Sequence, residues 1–144
     1  MKSILLSARD VIEVLATEIE ERRLRNASYS MRAFARDLGV SSSRLSDIMN
    51  RKRPLTDAAA KRLAEGLGYN AKETEMLVLF AQASDNRQES VRNEALVRRQ
   101  ALIRSFQQVN LSTEAFEAIA DWHHFAILEM THLGLGPKLT PEFA

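Results

Sequence analysis

Hydroxyl side chains and cations are concentrated in one short segment of the chain, SSSRLSDIMNRKR at residues 41–53. Residues 31–62 contain eight lysines and arginines against three aspartates, a local net charge of +5. Since the whole chain carries only +1, the remainder carries −4. Each lysine or arginine that reaches a phosphate releases condensed counterions, so this distribution predicts a polyanionic partner. The alternative is a solvated helical surface without a partner.

Composition narrows the class of protein that surrounds this segment. The chain has 144 residues, of which 45% are hydrophobic and 27% charged, as in one ordinary globular domain or two small ones. No apolar run approaches the roughly 18 residues that span a bilayer, and the apolar start is too short for a signal peptide. We therefore expect a cytoplasmic protein without a membrane partner. The absence of cysteine excludes disulfides and thiolate metal sites.

The spacing of apolar residues predicts an all-α fold. Glycine and proline together account for only eight residues, and no strand-like alternation is present. Apolar stripes with capping residues before them predict five helices, at about 7–25, 31–38, 42–50, 57–67 and 71–83. A polar linker at 84–90 precedes two further predicted helices, at 91–109 and 113–133. We expect a five-helix bundle in a domain at 1–84, followed by a two-helix C-terminal extension at 85–144.

The second and third predicted helices have the spacing of a helix-turn-helix. Gly39 suits the left-handed backbone of the turn, and the small side chain of Ala35 lets the two helices cross closely. Ser30 and Ser41 are placed to cap the two helices, and Thr56 to cap the next. The side chains expected to form the shared core are Phe34, Leu38, Val40, Leu45 and Ile48.

These residues carry a resemblance to known proteins. The segment 29–70, YSMRAFARDLGVSSSRLSDIMNRKRPLTDAAAKRLAEGLGYN, resembles the DNA-binding domain of the lambda-repressor and Cro type, which is a compact bundle of five helices. The whole chain is similar to a functionally poorly characterised family of bacterial regulators. That similarity lies in a D-W-x-H-F-A-I-L-E-like stretch, here DWHHFAILE at 121–129. Members of that family usually continue into a winged-helix-like region.

The resemblance implies that the third helix enters the major groove with its N-terminal residues facing the base edges. The base-reading residues would then be Ser42, Ser43, Arg44, Ser46 and Asp47. Arg44 could pair bidentately with guanine, worth about 1–3 kcal/mol of discrimination. Alternatively, it is an exposed residue that pairs with Asp47 or contacts phosphate. Asp47 could accept from cytosine N4, pair with Arg51 one turn away, or weaken binding.

Phosphate contacts are expected on both sides of this helix. In domains of this type the residues after the third helix meet the DNA backbone, which here are Asn50, Arg51, Lys52 and Arg53. Ser30, Arg32 and the first N–H groups of the second helix would hold the other side of the groove. Such contacts position the protein without reading sequence, so their removal should weaken binding to all sequences alike.

The predicted helix at 113–133 has apolar residues on most of its circumference. A two-helix extension cannot bury so much apolar surface by itself. Operators of this kind are usually read by dimers with matching two-fold symmetry. We therefore expect a homodimer that binds double-stranded DNA at a palindromic or pseudo-palindromic operator, with Trp122, Phe125 and Leu128 at the dimer interface.

An enzyme is the rival interpretation. Asp121, His124, Glu129 and His132 fall on one side of a helix, and Glu129 and His132 have the Glu-x-x-His spacing of di-iron bundles. Such bundles need acidic ligands from other helices, and the sequence has no second Glu-x-x-His. We expect no catalytic site, metal, cofactor or small-molecule ligand. The alternative to DNA reading is a protein–protein interaction module that keeps the fold.

The end of the sequence contains a helix stop followed by a helix start. The glycines and proline at 134–137 end the long predicted helix. Thr140, Pro141 and Glu142 then resemble the first residues of a new helix, yet only two residues follow. This pattern predicts a truncated fragment or a protein that has lost a downstream domain.

Overall fold

The computed structural model describes residues 1–132, and all regular secondary structure within that range is helical. The predicted all-α class is confirmed. Leu133, the predicted helix stop at 134–137 and the helix start at Thr140 lie outside the described residues. The helices are α1 (Ser3–Ser7), α2 (Val11–Arg25), α3 (Met31–Asp37), α4 (Ser42–Met49), α5 (Asp57–Leu67), α6 (Ala71–Asp85) and α7 (Glu89–His132).

The predicted division into five helices and two is wrong at both ends of the chain. The first helix predicted at about 7–25 begins only at Val11, as α2, where the Asp10 carboxylate caps it by accepting a hydrogen bond from the Glu13 N–H (3.0 Å), and the short helix α1 before it is not predicted. The two predicted C-terminal helices form the single helix α7. The hydroxyls of Ser112 and Thr113 both donate to the Val109 carbonyl (2.9 Å each), so these residues bond back to the preceding turn instead of starting a helix.

Contacts between residues divide the chain into two compact units, Met1–Arg104 and Ser105–Ala144. The first unit contains α1 to α6 and the start of α7, where Ala95 is buried and Leu102 and Ile103 pack against the core. It therefore extends past residue 84, at which we expect the first domain to end. Within the second unit, the structure describes the remainder of α7.

The core of the first unit includes the residues predicted for the helix-turn-helix. Phe34, Leu38, Leu45 and Ile48 are buried, and Val40 is half-buried against them. Helices α5 and α6 pack against each other and complete this core. The other large side chains that are fully buried are Leu5, Val14, Leu15, Leu63, Met76, Leu77 and Phe80.

Local signals place the ends of α3, α4 and α5. Ser30, Ser41 and Thr56 each accept the backbone N–H three residues on, at 3.1, 3.1 and 3.3 Å, and all three predicted caps are confirmed. Gly39 has φ +68° in the turn between α3 and α4, as predicted. The Val40 N–H closes this turn on the Ala35 carbonyl at 3.0 Å.

Gly66 allows α5 to approach the end of α3 more closely than any other residue would. A Cβ at this position would lie 2.5 Å from the Leu38 Cα and 2.9 Å from the Asp37 carbonyl oxygen. Because these are backbone atoms, no side-chain rearrangement could relieve the overlap. The helix-turn-helix is thus held against α5 by a contact that requires glycine.

A buried carboxylate fixes α2 to the rest of the bundle. Glu18 is only 3% exposed and lies 2.8 Å from the Lys2 Nζ and 3.2 Å from an Arg22 guanidinium nitrogen. The Tyr69 hydroxyl donates to the same carboxylate at 2.7 Å. Burial, together with this hydrogen bond to Glu18, raises the pKa of Tyr69 well above its usual value. Every ionised group in the cluster has a partner, as buried charges require.

Candidate nucleic-acid interface

Helix α4 has a buried side and an outward side. Leu45 and Ile48 are buried against the bundle. At about 100° per residue, the opposite side of the helix presents the positions of Ser42, Ser43, Ser46, Asp47 and Asn50. We call these five residues the outward face. The three serines and Asn50 are exposed and Asp47 is half-buried. The structure thus brings four of the five predicted base-reading residues together on one polar surface.

Arg44 lies at the edge of the outward face, beside α5. It lines a cleft of about 190 Å³ together with Ile48, Ala59 and Arg62. The Arg44 side chain is exposed, and within residues 1–132 its guanidinium makes no hydrogen bond or ion pair. The alternative in which Arg44 pairs with Asp47 is therefore not what the structure shows. The guanidinium is available to an external acceptor.

Asp47 instead pairs with the arginine beyond the end of the helix. Its carboxylate lies 3.3 Å from the Arg53 Nε. The alternative pairing with Arg51, four residues after Asp47, does not form among the described residues, because the Arg51 guanidinium bonds Asp10 instead. The only acidic side chain of the outward face is thus partly neutralised before any ligand binds.

The end of α4 has the hydrogen bonds of a Schellman motif. The Arg51 N–H donates to the Ile48 carbonyl at 3.1 Å, and the Lys52 N–H donates to the Asp47 carbonyl at 2.9 Å. This motif needs one residue in the left-handed region, and here that residue is Arg51, with φ +57°. A non-glycine residue in this conformation costs about 1–2 kcal/mol. The surrounding structure therefore determines where the Arg51 backbone lies.

The Arg51 side chain is held by the residue that caps another helix. Its guanidinium bonds the carboxylate of Asp10, the N-cap of α2. Burial acts to raise the pKa of Asp10, but the backbone N–H of Glu13 and the Arg51 guanidinium outweigh it. The pKa of Asp10 consequently lies below its usual value, and the carboxylate is ionised at neutral pH.

Two of the three cations in the loop that follows α4 form ion pairs. Arg51 and Arg53 each contact an aspartate, whereas exposed Lys52 has no side-chain partner in the part of the chain that the structure describes. The far end of the loop is anchored, because Leu55 is buried and its N–H donates to the Asp85 carboxylate at 2.8 Å. The three cations that we expect to contact phosphate therefore sit on a positioned loop.

The other residues predicted to contact phosphate are Asn50, Ser30 and Arg32, and they differ in whether their side chains already make hydrogen bonds within the protein. Asn50 donates its amide to the carbonyl and hydroxyl oxygens of Ser46, at 2.9 and 3.2 Å. The Ser30 hydroxyl oxygen caps α3. Arg32 is exposed in the first turn of α3 and has no ion pair among the described residues. Only Arg32 in this group presents an unused charged side chain.

The predicted dimer residues lie on the part of α7 that belongs to the second unit. Trp122 is 70% exposed, Phe125 71% and Leu128 56%. The described residues therefore leave exposed the apolar side chains that we expect at a dimer interface. Trp122 stacks on His123 with ring centroids 6.3 Å apart. Further exposed apolar side chains of this part of α7 are Val109, Leu111, Phe116, Ile119, Ile127 and Met130.

Residues 1–132 contain neither a metal-ligand cluster nor a helix suited to a membrane. No three histidine, aspartate or glutamate side chains there are arranged as metal ligands, including those around His124. Over the same residues, none of the helices combines the length and the apolar character needed to cross a bilayer.

The contact of Asp10 with Arg51 is not predictable from the sequence. Asp10 is recognisable as a helix cap, because it is followed three positions later by Glu13. Nothing in the linear sequence brings it to Arg51, which is 41 residues away. Arg62 is missed for the same reason, since only the packing of α4 on α5 places it beside Arg44.

A comparison with known families finds a match within the first unit. The helix-turn-helix family matches residues 19–73, from within α2 to the start of α6, and so includes the whole of α3, α4 and α5. Comparisons with curated proteins and with solved structures give no significant match. The matched family is regulatory and DNA-binding, not enzymatic. Residues 19–73 of this chain are therefore similar to the helix-turn-helix domains of the lambda-repressor and Cro type, with which transcription regulators bind DNA.

Proposed function

We propose that this protein is a bacterial, cytoplasmic transcription regulator that binds a pseudo-palindromic DNA operator as a homodimer. Helix α4 lies in the major groove with its outward face toward the base edges, and no cofactor takes part. The observation that carries the proposal is the exposed polar outward face, with the cationic loop 51–53 directly after it, inside a matched helix-turn-helix domain. Serine hydroxyls and Asp47 meet the bases there.

Arg44 is the main determinant of sequence preference in this proposal. Its unpaired guanidinium stands beside the outward face, and a bidentate contact to guanine O6 and N7 is the strongest single base contact available to these residues. The serines discriminate less, because a hydroxyl either donates or accepts.

Phosphate contacts flank α4 on both sides. Arg51, Lys52 and Arg53 contact one strand from the loop after α4, and Asn50 supports them. Arg32 and the capped start of α3 contact the other side of the groove, next to Ser30. The anchored loop supports this role, because fixed donors hold the protein in one register on the duplex.

A second copy of the chain is the partner that we propose for the exposed part of α7. Trp122, Phe125 and Leu128 belong to a long apolar surface that an isolated chain would expose to water. Aromatic side chains of this kind anchor interfaces. A two-fold symmetric dimer would present two copies of α4 to the two halves of one operator.

Replacing Arg44 by alanine tests the assignment of the base-reading face. We expect binding to the preferred duplex to weaken by about 1–3 kcal/mol, with relaxed preference at one base-pair position in each half-site. Fluorescence anisotropy on single-position operator variants would measure both quantities. Arg23→Ala is the matched control, because Arg23 is an exposed cation of α2 that pairs with Glu20 and does not belong to the outward face. An equal weakening on every duplex would make Arg44 a phosphate contact instead.

One observation favours the second candidate function, a protein–protein interaction module. Arg51 and Arg53 already pair with aspartates, and nearly all of the large apolar side chains that are exposed among the described residues belong to α7. In that case the wild-type protein would not bind any duplex, even at low salt where phosphate contacts are strongest.

A further inference from the structure

Resting on the proposed function, we infer that Asp10 competes with DNA phosphates for Arg51 and thereby lowers the affinity of the protein for DNA of any sequence. The free protein holds the Arg51 guanidinium on the Asp10 carboxylate, and the bound protein holds it on a phosphate. Asp10 is thus a positioning residue that acts through Arg51 and does not itself contact the DNA.

The backbone conformation of Arg51 is fixed, so its side chain leaves the main chain at a defined place. The left-handed conformation and the N–H bond to the Ile48 carbonyl fix the main chain. From there the guanidinium reaches α2 and bonds Asp10, whose other carboxylate oxygen accepts the Glu13 N–H. Asp10 is therefore held in place by its own helix, while the arginine side chain is the movable partner.

The Arg51 side chain is exposed enough to leave Asp10 and bind a phosphate. The Asp10 side chain is 19% exposed, whereas that of Arg51 is 63% exposed. The pair borders an open cleft of about 350 Å³, which is also lined by Lys52, Arg53 and Pro54. A phosphate that enters this cleft would lie beside Lys52 and Arg53 and could take the Arg51 guanidinium from the carboxylate.

Asp47 and Arg53 form a second acid–arginine pair, but it does not isolate the same effect. Asp47 belongs to the outward face, so its replacement changes contacts to the bases as well as the freedom of Arg53. Asp10 precedes α2 and lies outside the outward face. Its replacement therefore changes the competition for Arg51 without altering a base-reading residue.

Asp10→Asn is the decisive variant, because asparagine caps a helix as well as aspartate does and removes the charge that holds Arg51. A partly exposed ion pair is weak, so we expect affinity to rise only about two- to fivefold, on specific and random duplexes alike. The slope of log K against log salt should steepen, by up to about 0.9, as Arg51 reaches its phosphate more completely. Anisotropy over a salt series would measure both effects, with circular dichroism to show that the fold is unchanged.

The same substitution made in an Arg51→Ala background completes the test. Without Arg51 there is no guanidinium to release, so Asp10→Asn should leave affinity unchanged there. An equal gain in both backgrounds would overturn the inference, because the Asp10 charge would then act on the DNA directly. If Asp10→Asn binds DNA with the same affinity as the wild type, the inference is overturned too. The proposed function would still stand in that case, because the wild-type protein binds DNA. If neither the wild type nor Asp10→Asn binds any duplex, the proposed function fails and the inference with it.

Discussion

Alanine at Arg51, Lys52 and Arg53 together should lower the affinity for operator and random duplexes by the same factor. The slope of log K against log salt flattens by about 0.9 for every phosphate that a cation no longer neutralises, so three cations account for up to about 2.7. If the affinities of the wild type and the triple variant converge near 1 M salt, the affinity of the variant at 0.1 M salt is lower by up to about 500-fold. Both kinds of duplex are affected because phosphates carry no sequence information. Anisotropy titrations at several salt concentrations measure the slope directly.

A matched triple variant separates local contacts from overall charge. Arg23, Lys72 and Arg98 are exposed cations of the first unit that lie on α2, α6 and α7, outside the outward face and the loop after α4. Alanine at these three positions removes the same charge and should leave the salt slope nearly unchanged. Equal effects of the two triple variants would reduce the role of the loop to bulk electrostatics. If the variant lacking Arg51, Lys52 and Arg53 keeps the affinity and salt slope of the wild type, these three cations do not contact DNA.

Replacing Trp122 and Phe125 together by alanine should convert the proposed dimer into monomers. Truncation of a buried aromatic anchor costs about 2 kcal/mol or more, which corresponds to roughly a 30-fold rise in the dimer dissociation constant for each residue. Sedimentation velocity at micromolar concentration would show the shift. Affinity for a two-half operator should fall in parallel, because two linked half-site contacts become independent.

The control for this variant uses exposed apolar residues elsewhere. Leu24 and Val97 are 88% and 70% exposed in the first unit, and their replacement by alanine should change neither sedimentation nor DNA affinity. Circular dichroism of both variants would show whether α7 stays helical. A folded Trp122 and Phe125 variant that remains dimeric would move the interface to another surface. A wild type that sediments as a monomer would remove the dimer from the proposal.

The starts of α3, α4 and α5 are predictable from the sequence because the signals that place them are local. Ser30, Ser41 and Thr56 cap helices with their own side chains, and Gly39 closes the turn by its own backbone conformation. The continuity of α7 is not predictable in this way. The side chains of Ser112 and Thr113 suit a helix start as well as a helix interior, and the choice between them depends on the surrounding turns.

In the candidate interface, too, the features set by local sequence are predictable and those set by helix packing are not. The outward face of α4 follows from the spacing of Leu45 and Ile48, which decides which side of the helix is buried. The close approach at Gly66 and the contact between Asp10 and Arg51 join residues that are far apart in the chain. Such contacts depend on how whole helices pack, which local residue preferences do not determine.

Selection of bound sequences from a random duplex library tests the central claim most directly, namely that the outward face of α4 reads DNA. The proposal predicts enrichment of one motif made of two similar halves whose centres lie about one helical turn apart, or a multiple of it. Repeating the selection with the Arg44→Ala variant should relax one position in each half. A bound pool with the same base composition as the unselected library, or no bound pool at low salt, would contradict the claim that this face reads a sequence.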